Sequence, residues 1–314
     1  MTDATPLTIR GRRTPLDYIF FLRPVLLPPV WTIALLGSVG DSASGATSAW
    51  RWLAFFLHLT CLYGGVFTLN QVCDVESDRR NRKLFFLPEG IISPRAAWGF
   101  TTAVDLAALL LSVQFGRWHL ALTVTVMALG VAYSVGRRPW KNRPWLGFLA
   151  NALGHGPLVY LLGQAAISPS AAVHWCSSIP YFFAVGAVFL ATTVPDVAGD
   201  RASGKATASV VLGGRTAMAA ATVLVFVSTV LAAALGDYRL AVAAVVALPV
   251  FVWSTAQGGE YAAGAAKAGV GFLSIAAVIA YPLYLLLLLT GVAATRLFFR
   301  WRFGVTYPTL SARG

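Results

Sequence analysis

Polar positions are so sparse along most of this chain that no two-residue alternation can be traced. The apolar runs are instead nearly continuous, and each is about as long as a bilayer is thick. Runs long enough to cross a membrane (about 20 residues) lie at 17–39, 52–73, 96–115, 118–135, 145–165, 178–195, 215–235, 239–256 and 268–292. They predict nine membrane helices, punctuated by Gly40-Asp41-Ser42, Gly116-Arg117, Ser168-Pro169-Ser170 and Gly236-Asp237. The expected fold class is therefore an all-α integral membrane bundle forming a single domain over 1–314, with a polar amino terminus (1–16) and a basic tail (293–314). The first sixteen residues are polar and basic, and the next run lacks a small-residue cleavage site, so a retained first helix is expected.

Composition agrees. Of the 314 residues, 57% are hydrophobic and 11% charged, where soluble domains carry about 25% charge. A net charge of +12 would suggest nucleic acid in a soluble protein, but here the bases sit in short loops. Sixteen of the 24 Lys and Arg fall in 1–16, 74–95, 136–144, 196–215 and 257–267, whereas the alternate loops hold only Arg51, Arg117 and Arg239. That bias predicts a cytoplasmic amino terminus in a cell-membrane protein. One feature conflicts with it: nine crossings leave Arg296, Arg300, Arg302 and Arg313 outside. Either the tail lies along the interface on lipid phosphates, or a crossing is miscounted; the amino-terminal loops dominate orientation, and nine is retained.

The candidate chemistry gathers at 70–83. Asn70, Asp74 and Asp78 fall at i, i+4 and i+8, on one face if the second helix continues through them. Arg79, Arg80, Arg82 and Lys83 follow. The pattern returns at Asp196 and Asp200, trailed by Arg201, Gly204, Lys205, Ala206 and Thr207. Acidic pairs at the mouths of membrane helices need partners, and Mg²⁺ bridging to phosphate oxygens suits them. The motifs end the second and sixth helices, which hints at two four-helix halves plus a ninth helix. Cys61, Cys73 and Cys176 form no zinc or disulfide spacing, and the four histidines form no HxxxH pattern.

These motifs resemble the UbiA superfamily of intramembrane prenyltransferases. Asn70 to Asp78 looks like that family's NxxxDxxxD motif, and Asp196–Asp200 with Gly204, Lys205 and Thr207 looks like its second DxxxD motif. Pro88, Gly90 and Ser93, Tyr133-Ser134 with the following bases, and Arg23-Pro24 fit as well. The resemblance implies a nine-helix bundle around a lipid-open cavity. It also implies Mg²⁺-dependent transfer of a prenyl group from a polyprenyl diphosphate to an aromatic, quinone-precursor or other lipid-pathway acceptor. By the same resemblance Asp74 and Asp78 hold one Mg²⁺, with Asn70 as a neutral oxygen ligand or a diphosphate partner, and Asp196 and Asp200 hold a second, while Lys83, Arg137 or Arg138, Lys141, Lys205 and, if it turns inward, Arg23 meet diphosphate. Tyr133 donates to diphosphate or faces the allylic cation with its ring.

The chain departs from the family pattern at Phe85-Phe86, Thr193, Ala198 and Gln71, so its acidic set is thin. Phe85 and Phe86 are candidates to bound the prenyl tunnel. Asn151 and His155 either orient an acceptor or bridge helices; Asp105 is either bonded to Thr101 or Thr102 or lines the cavity. Glu76 is expected to pair with Arg79 or Arg80, and Trp50, Trp52, Trp140 and Trp145 to anchor at the interface. Two rivals stand beside transfer: a terpene cyclase on the same scaffold, and an ion or lipid transporter. Transport is disfavoured because the acids gather at one surface rather than near the midplane.

Overall fold

The computed structural model describes residues 13–39, 48–80, 85–167, 173–202 and 204–308, and all regular structure among them is helical. In order these are α1 (Pro15–Phe21), a 3-10 turn (Pro24–Leu26), α2 (Leu27–Gly37), α3 (Ala49–Arg80), α4 (Pro94–Val113) and α5 (Arg117–Ser134). A second 3-10 turn (Trp140–Asn142) leads to α6 (Pro144–His155), α7 (Pro157–Ile167) and α8 (Trp175–Thr193). Short helices α9 (Val197–Ala202) and α10 (Ala208–Leu212) precede α11 (Gly214–Ala234), α12 (Tyr238–Ala256), α13 (Ala262–Ala280) and α14 (Tyr284–Phe303).

Among the described residues nine helical segments are long and apolar enough to cross a membrane, the expected number. Their membership differs from the sequence expectation. Helix α5 falls short of that apolarity because Arg117 and His119 open it, yet it traverses the bundle beside α3, from His119 at His58 near one end to the Lys141 turn at Asp74 near the other, a tenth pass that returns the tail to the starting side. The run expected at 268–292 is instead two helices, because Tyr281-Pro282 interrupts it. Tyr281 is extended (φ −134°, ψ 82°), the conformation that a following proline imposes. Helix α14 begins where the Tyr284 hydroxyl donates to the Pro28 carbonyl (2.8 Å), and it ends beside Asp17 and Phe20. It therefore runs back toward the end where α1 starts and brings Arg300 and Arg302 with it.

The first membrane segment is broken at Arg23-Pro24 and the one at Pro144–Ile167 is broken at Gly156-Pro157. Each interrupted helix precedes the one that carries an acidic motif, so the two breaks hold corresponding places in the two halves. Helices α2 and α7 approach backbone to backbone. A Cβ on Gly163 would overlap the Ala34 carbonyl oxygen, and one on Gly37 would overlap that of Tyr160. One apolar core lies under α2, α3, α5 and α7, and a second joins α8, α11, α12 and α13. A third, mostly aromatic core gathers Phe20 and Phe21 near the start of the chain, Phe86 after α3, and Phe298, Phe299 and Phe303 of α14.

Candidate active site

Helix α3 continues unbroken through the first acidic motif. Its 32 residues span about 48 Å at 1.5 Å per residue, against a hydrocarbon core of about 30 Å. The final turns therefore carry Asp74 and Asp78 beyond the most apolar zone. Asn70, Asp74 and Asp78 share one face and line one cavity rim. Lys141, in the turn after α5, donates from Nζ to Asp74 Oδ1 (2.6 Å) and Asn70 Oδ1 (3.1 Å). Asp78 is pushed up to about 6, first by burial and then by the neighbouring Asp74 carboxylate, with Arg23, Lys205 and Lys141 pulling the other way.

The second motif is not a continuous helix. Pro195 ends α8, and Asp196 precedes the short α9. The Asp200 amide donates to the Asp196 carbonyl (2.8 Å), which keeps the i, i+4 register through the break. The chain then turns at Gly204 (φ +69°), a left-handed conformation that favours glycine. The turn brings Lys205 Nζ to 3.9 Å from Asp200 Oδ1, and the Thr207 hydroxyl donates to Asp200 Oδ2 (3.4 Å).

These groups surround a polar chamber of about 680 Å³ that includes Asn70, Asp74, Asp78, Lys141, Asp196 and Asp200 in its wall. A second, mainly apolar chamber of about 560 Å³ lies against it, lined by residues such as Ile33, Tyr63, Phe67, Val126, Leu129 and Leu273. Arg23, Asn70, Tyr133, Phe189, Thr193 and Asp196 line both chambers. Arg23 reaches this boundary by a strained left-handed backbone (φ 57°), stabilised from below as Gln71 Nε2 donates to the Phe21 carbonyl (2.9 Å). Its buried Nε has no hydrogen-bond partner within the protein. Tyr133 and Asn151 both line the apolar chamber, and the Asn151 amide donates to the Gly147 carbonyl (3.0 Å).

Most of the residues singled out in the sequence meet at these chambers. Arg137 and Arg138 do not: both are exposed and outside either lining. Lys83 lies outside the described residues. Asn151 and His155 line the apolar chamber, where the His155 ring stacks on Phe67 (6.0 Å, 12°) and its Nδ1 is buried without a partner. Asp105 is in neither lining, and Thr101 donates to Thr68 (2.9 Å) rather than to it; its carboxylate lies against Gly65. Thr193, where an acid was expected from the resemblance, shares a 2.6 Å hydrogen bond with Ser209. Glu76 pairs with Arg79 (3.4 Å), as expected.

Sequence reasoning missed the contribution of the tail. Thr295, Phe299, Val305, Thr306 and Tyr307 line the polar chamber beside Phe85 and Phe86. The surplus of arginine in the tail was the one available signal.

The model of the UbiA prenyltransferase family matches residues 26–267, which is most of the chain and includes both acidic motifs. The chain belongs to the UbiA prenyltransferase family. It is 30% identical over 182 residues to a homogentisate phytyltransferase of Synechocystis sp., covering 55% of this chain and 59% of that one. It is 31% identical over 196 residues to the digeranylgeranylglyceryl phosphate synthase of Halobacterium salinarum, covering 60% and 64%. A Humulus lupulus 2-acyl-4-prenylphloroglucinol 6-prenyltransferase is 29% identical over 157 residues, 47% of this chain and 38% of that one. The match thus spans less than two thirds of each of these relatives. The UbiA homologue of Archaeoglobus fulgidus, solved bound to DMAPP and Mg²⁺, shares the fold with a TM-score of 0.65 at 19% identity, over 82% of this chain and 99% of its own.

Proposed function

We propose that this UbiA family member transfers a prenyl group from a polyprenyl diphosphate to an aromatic or lipid-pathway acceptor, with Mg²⁺, at a site facing the cytoplasm. The observation that carries the reading is the pair of abutting chambers, one rich in charge and one apolar, which share Arg23, Asn70, Tyr133 and Asp196. A molecule with a diphosphate head and a hydrocarbon tail places its reacting carbon at such a boundary. Return of Arg300 and Arg302 to the end that carries the acidic motifs supports the cytoplasmic orientation.

The donor set fits Mg²⁺. Asn70, Asp74, Asp78, Asp196 and Asp200 offer hard oxygens around one chamber. Among the described residues no three His, Cys, Asp or Glu converge into a closed metal site. Two open carboxylate pairs suit a cation that keeps waters and takes its remaining ligands from phosphate. Asp74 and Asp78 with Asn70 would hold one ion and Asp196 with Asp200 another, supplying Lewis-acid stabilisation of the departing oxygens.

Lys141, Lys205 and Arg23 add fixed positive charge for the diphosphate. The Tyr133 ring at the boundary can face a developing allylic cation. The apolar walls keep water from that carbon. The test is release of diphosphate from geranylgeranyl diphosphate by the purified protein, with Mg²⁺ and with chelator. Release that needs Mg²⁺ and is lost in Asp74→Ala is expected, with a prenylated product that forms only when acceptor is supplied. A cyclic product formed without acceptor would instead make this a cyclase, and ion flux without diphosphate release would make it a transporter.

A further inference from the structure

The family match ends at residue 267, before α14 begins at Tyr284. Yet the end of α14 and the segment after it supply part of the polar chamber wall: Thr295, Phe299, Val305, Thr306 and Tyr307. Helix α14 packs little along its middle, where Leu285, Leu286, Leu289 and Leu297 are exposed to the bilayer region. It is fastened at its ends. At one end the Tyr284 hydroxyl meets the Pro28 carbonyl and Thr32 (2.8 Å each).

At the other end the Arg302 guanidinium forks onto the Asp17 carboxylate, Nε to Oδ1 at 2.9 Å and one Nη to Oδ2 at 3.1 Å, with each residue only 1% exposed. Asp17 is itself held by the Thr14 amide (2.8 Å). Phe298 stacks on Phe20 (3.9 Å, 9°), and Phe299 lies 4.8 Å from the Tyr307 ring. Gly304, left-handed at φ +69°, turns the chain so that Val305–Tyr307 fold back against the chamber. A bidentate ion pair this deeply buried is a poor source of net stability but a precise locator, because charges left apart there cost far more than charges held together.

We propose that α14 and residues 305–307 are a water-excluding wall of the diphosphate chamber, with Asp17 and Arg302 as the positioning residues that hold it shut. The inference rests on the reading of that chamber as the diphosphate site. An allylic diphosphate that ionises there partitions between two fates. Attack by acceptor gives the prenylated product and attack by water gives prenyl alcohol; in each case diphosphate leaves and the attacking molecule's displaced proton goes to solvent. Loosening the wall raises the second fate at the expense of the first.

The experiment uses the full chain in nanodiscs, with Cys61, Cys73 and Cys176 changed to serine and Thr207→Cys placed as a reporter in the chamber wall. A charged, membrane-impermeant thiosulfonate measures access to it. Arg302→Met, the double variant Asp17→Asn/Arg302→Met, and a chain ending after Gly304 are each expected to label at least fivefold faster than the parent. A second reporter, Ser112→Cys, fully buried in α4 and in neither chamber lining, must stay unreactive in the same backgrounds. Unchanged labelling, or acceleration only where Ser112→Cys also reacts, overturns the wall. In parallel, in chains that keep Thr207 and the native cysteines, the ratio of prenyl alcohol to diphosphate released in the presence of acceptor is expected to rise severalfold in the three variants. Arg302→Lys should restore part of the parental ratio. If the chain with its own Thr207 and cysteines releases no diphosphate while the labelling difference persists, the proposed transfer fails and the wall does not.

Discussion

Lys141→Met is the most informative single change in the chamber, because Lys141 touches both Asn70 and Asp74. The ammonium and the carboxylate are 13% and 21% exposed as side chains. Removing one partner of a buried pair costs about 3–5 kcal/mol, and the water that still reaches Asp74 puts this site nearer about 2–3 kcal/mol of folding stability. The same ammonium would meet diphosphate oxygens. A charge-assisted hydrogen bond is worth about 1.5–3 kcal/mol, so KM for the prenyl diphosphate should rise about 10- to 160-fold. Asp78 would lose one of the charges that favour its ionised form, so its carboxyl would move further up. Lys141→Arg should recover only part of the loss, since a planar fork does not fit a seat used by a point charge. The assays are initial rates of Mg²⁺-dependent diphosphate release against substrate concentration, and thermal unfolding in detergent. A KM within twofold of the parent, in a preparation where Asp74→Ala is inactive, would refute the substrate contact and leave Lys141 as a neutralising partner of the motif.

Other outcomes follow from the same geometry. Burial, and then the Asp74 carboxylate, push Asp78 up to about 6. Mg²⁺-dependent kcat/KM should therefore fall as pH drops through about 6, and higher Mg²⁺ should move that midpoint lower. In the metal-free protein the sign for stability is opposite, since the folded state holds the proton more tightly: unfolding free energy should decline as pH rises from the ordinary carboxylate range to about 6, and Asp78→Asn should flatten that slope. Arg137→Ala and Arg138→Ala, both outside the chamber linings, should leave KM within twofold in the diphosphate-release assay. Gly163→Ala should destabilise the bundle by about 1–3 kcal/mol, measured by thermal unfolding, because its new methyl would force α7 away from the Ala34 carbonyl.

Local chemistry alone determined a good deal of this protein. Twenty apolar residues in a row leave the backbone no solution in lipid but a helix, so the membrane bundle is legible before any contact is known. The i, i+4 spacing of Asn70, Asp74 and Asp78 places them on one face because α3 runs on through them, and a helical period is a local property. The second motif was legible in residue type but not in shape: Pro195 breaks the helix, and a backbone bond from Asp200 to Asp196 restores the register.

What only tertiary structure decided lies between residues far apart in the chain. Hydropathy averages over the Tyr281-Pro282 break, so one apolar run concealed two helices and misplaced the basic tail. Arg302 looked like a topological charge, yet it closes on Asp17 across 285 positions in a buried pair. Arg137 and Arg138 match a basic loop as well as Lys141 does, but only Lys141 turns inward to Asp74. A charge in a loop has the same local pattern whether it faces lipid phosphate, water or substrate. Which of these it meets is set by desolvation and packing against distant elements, and neither is written in its neighbours.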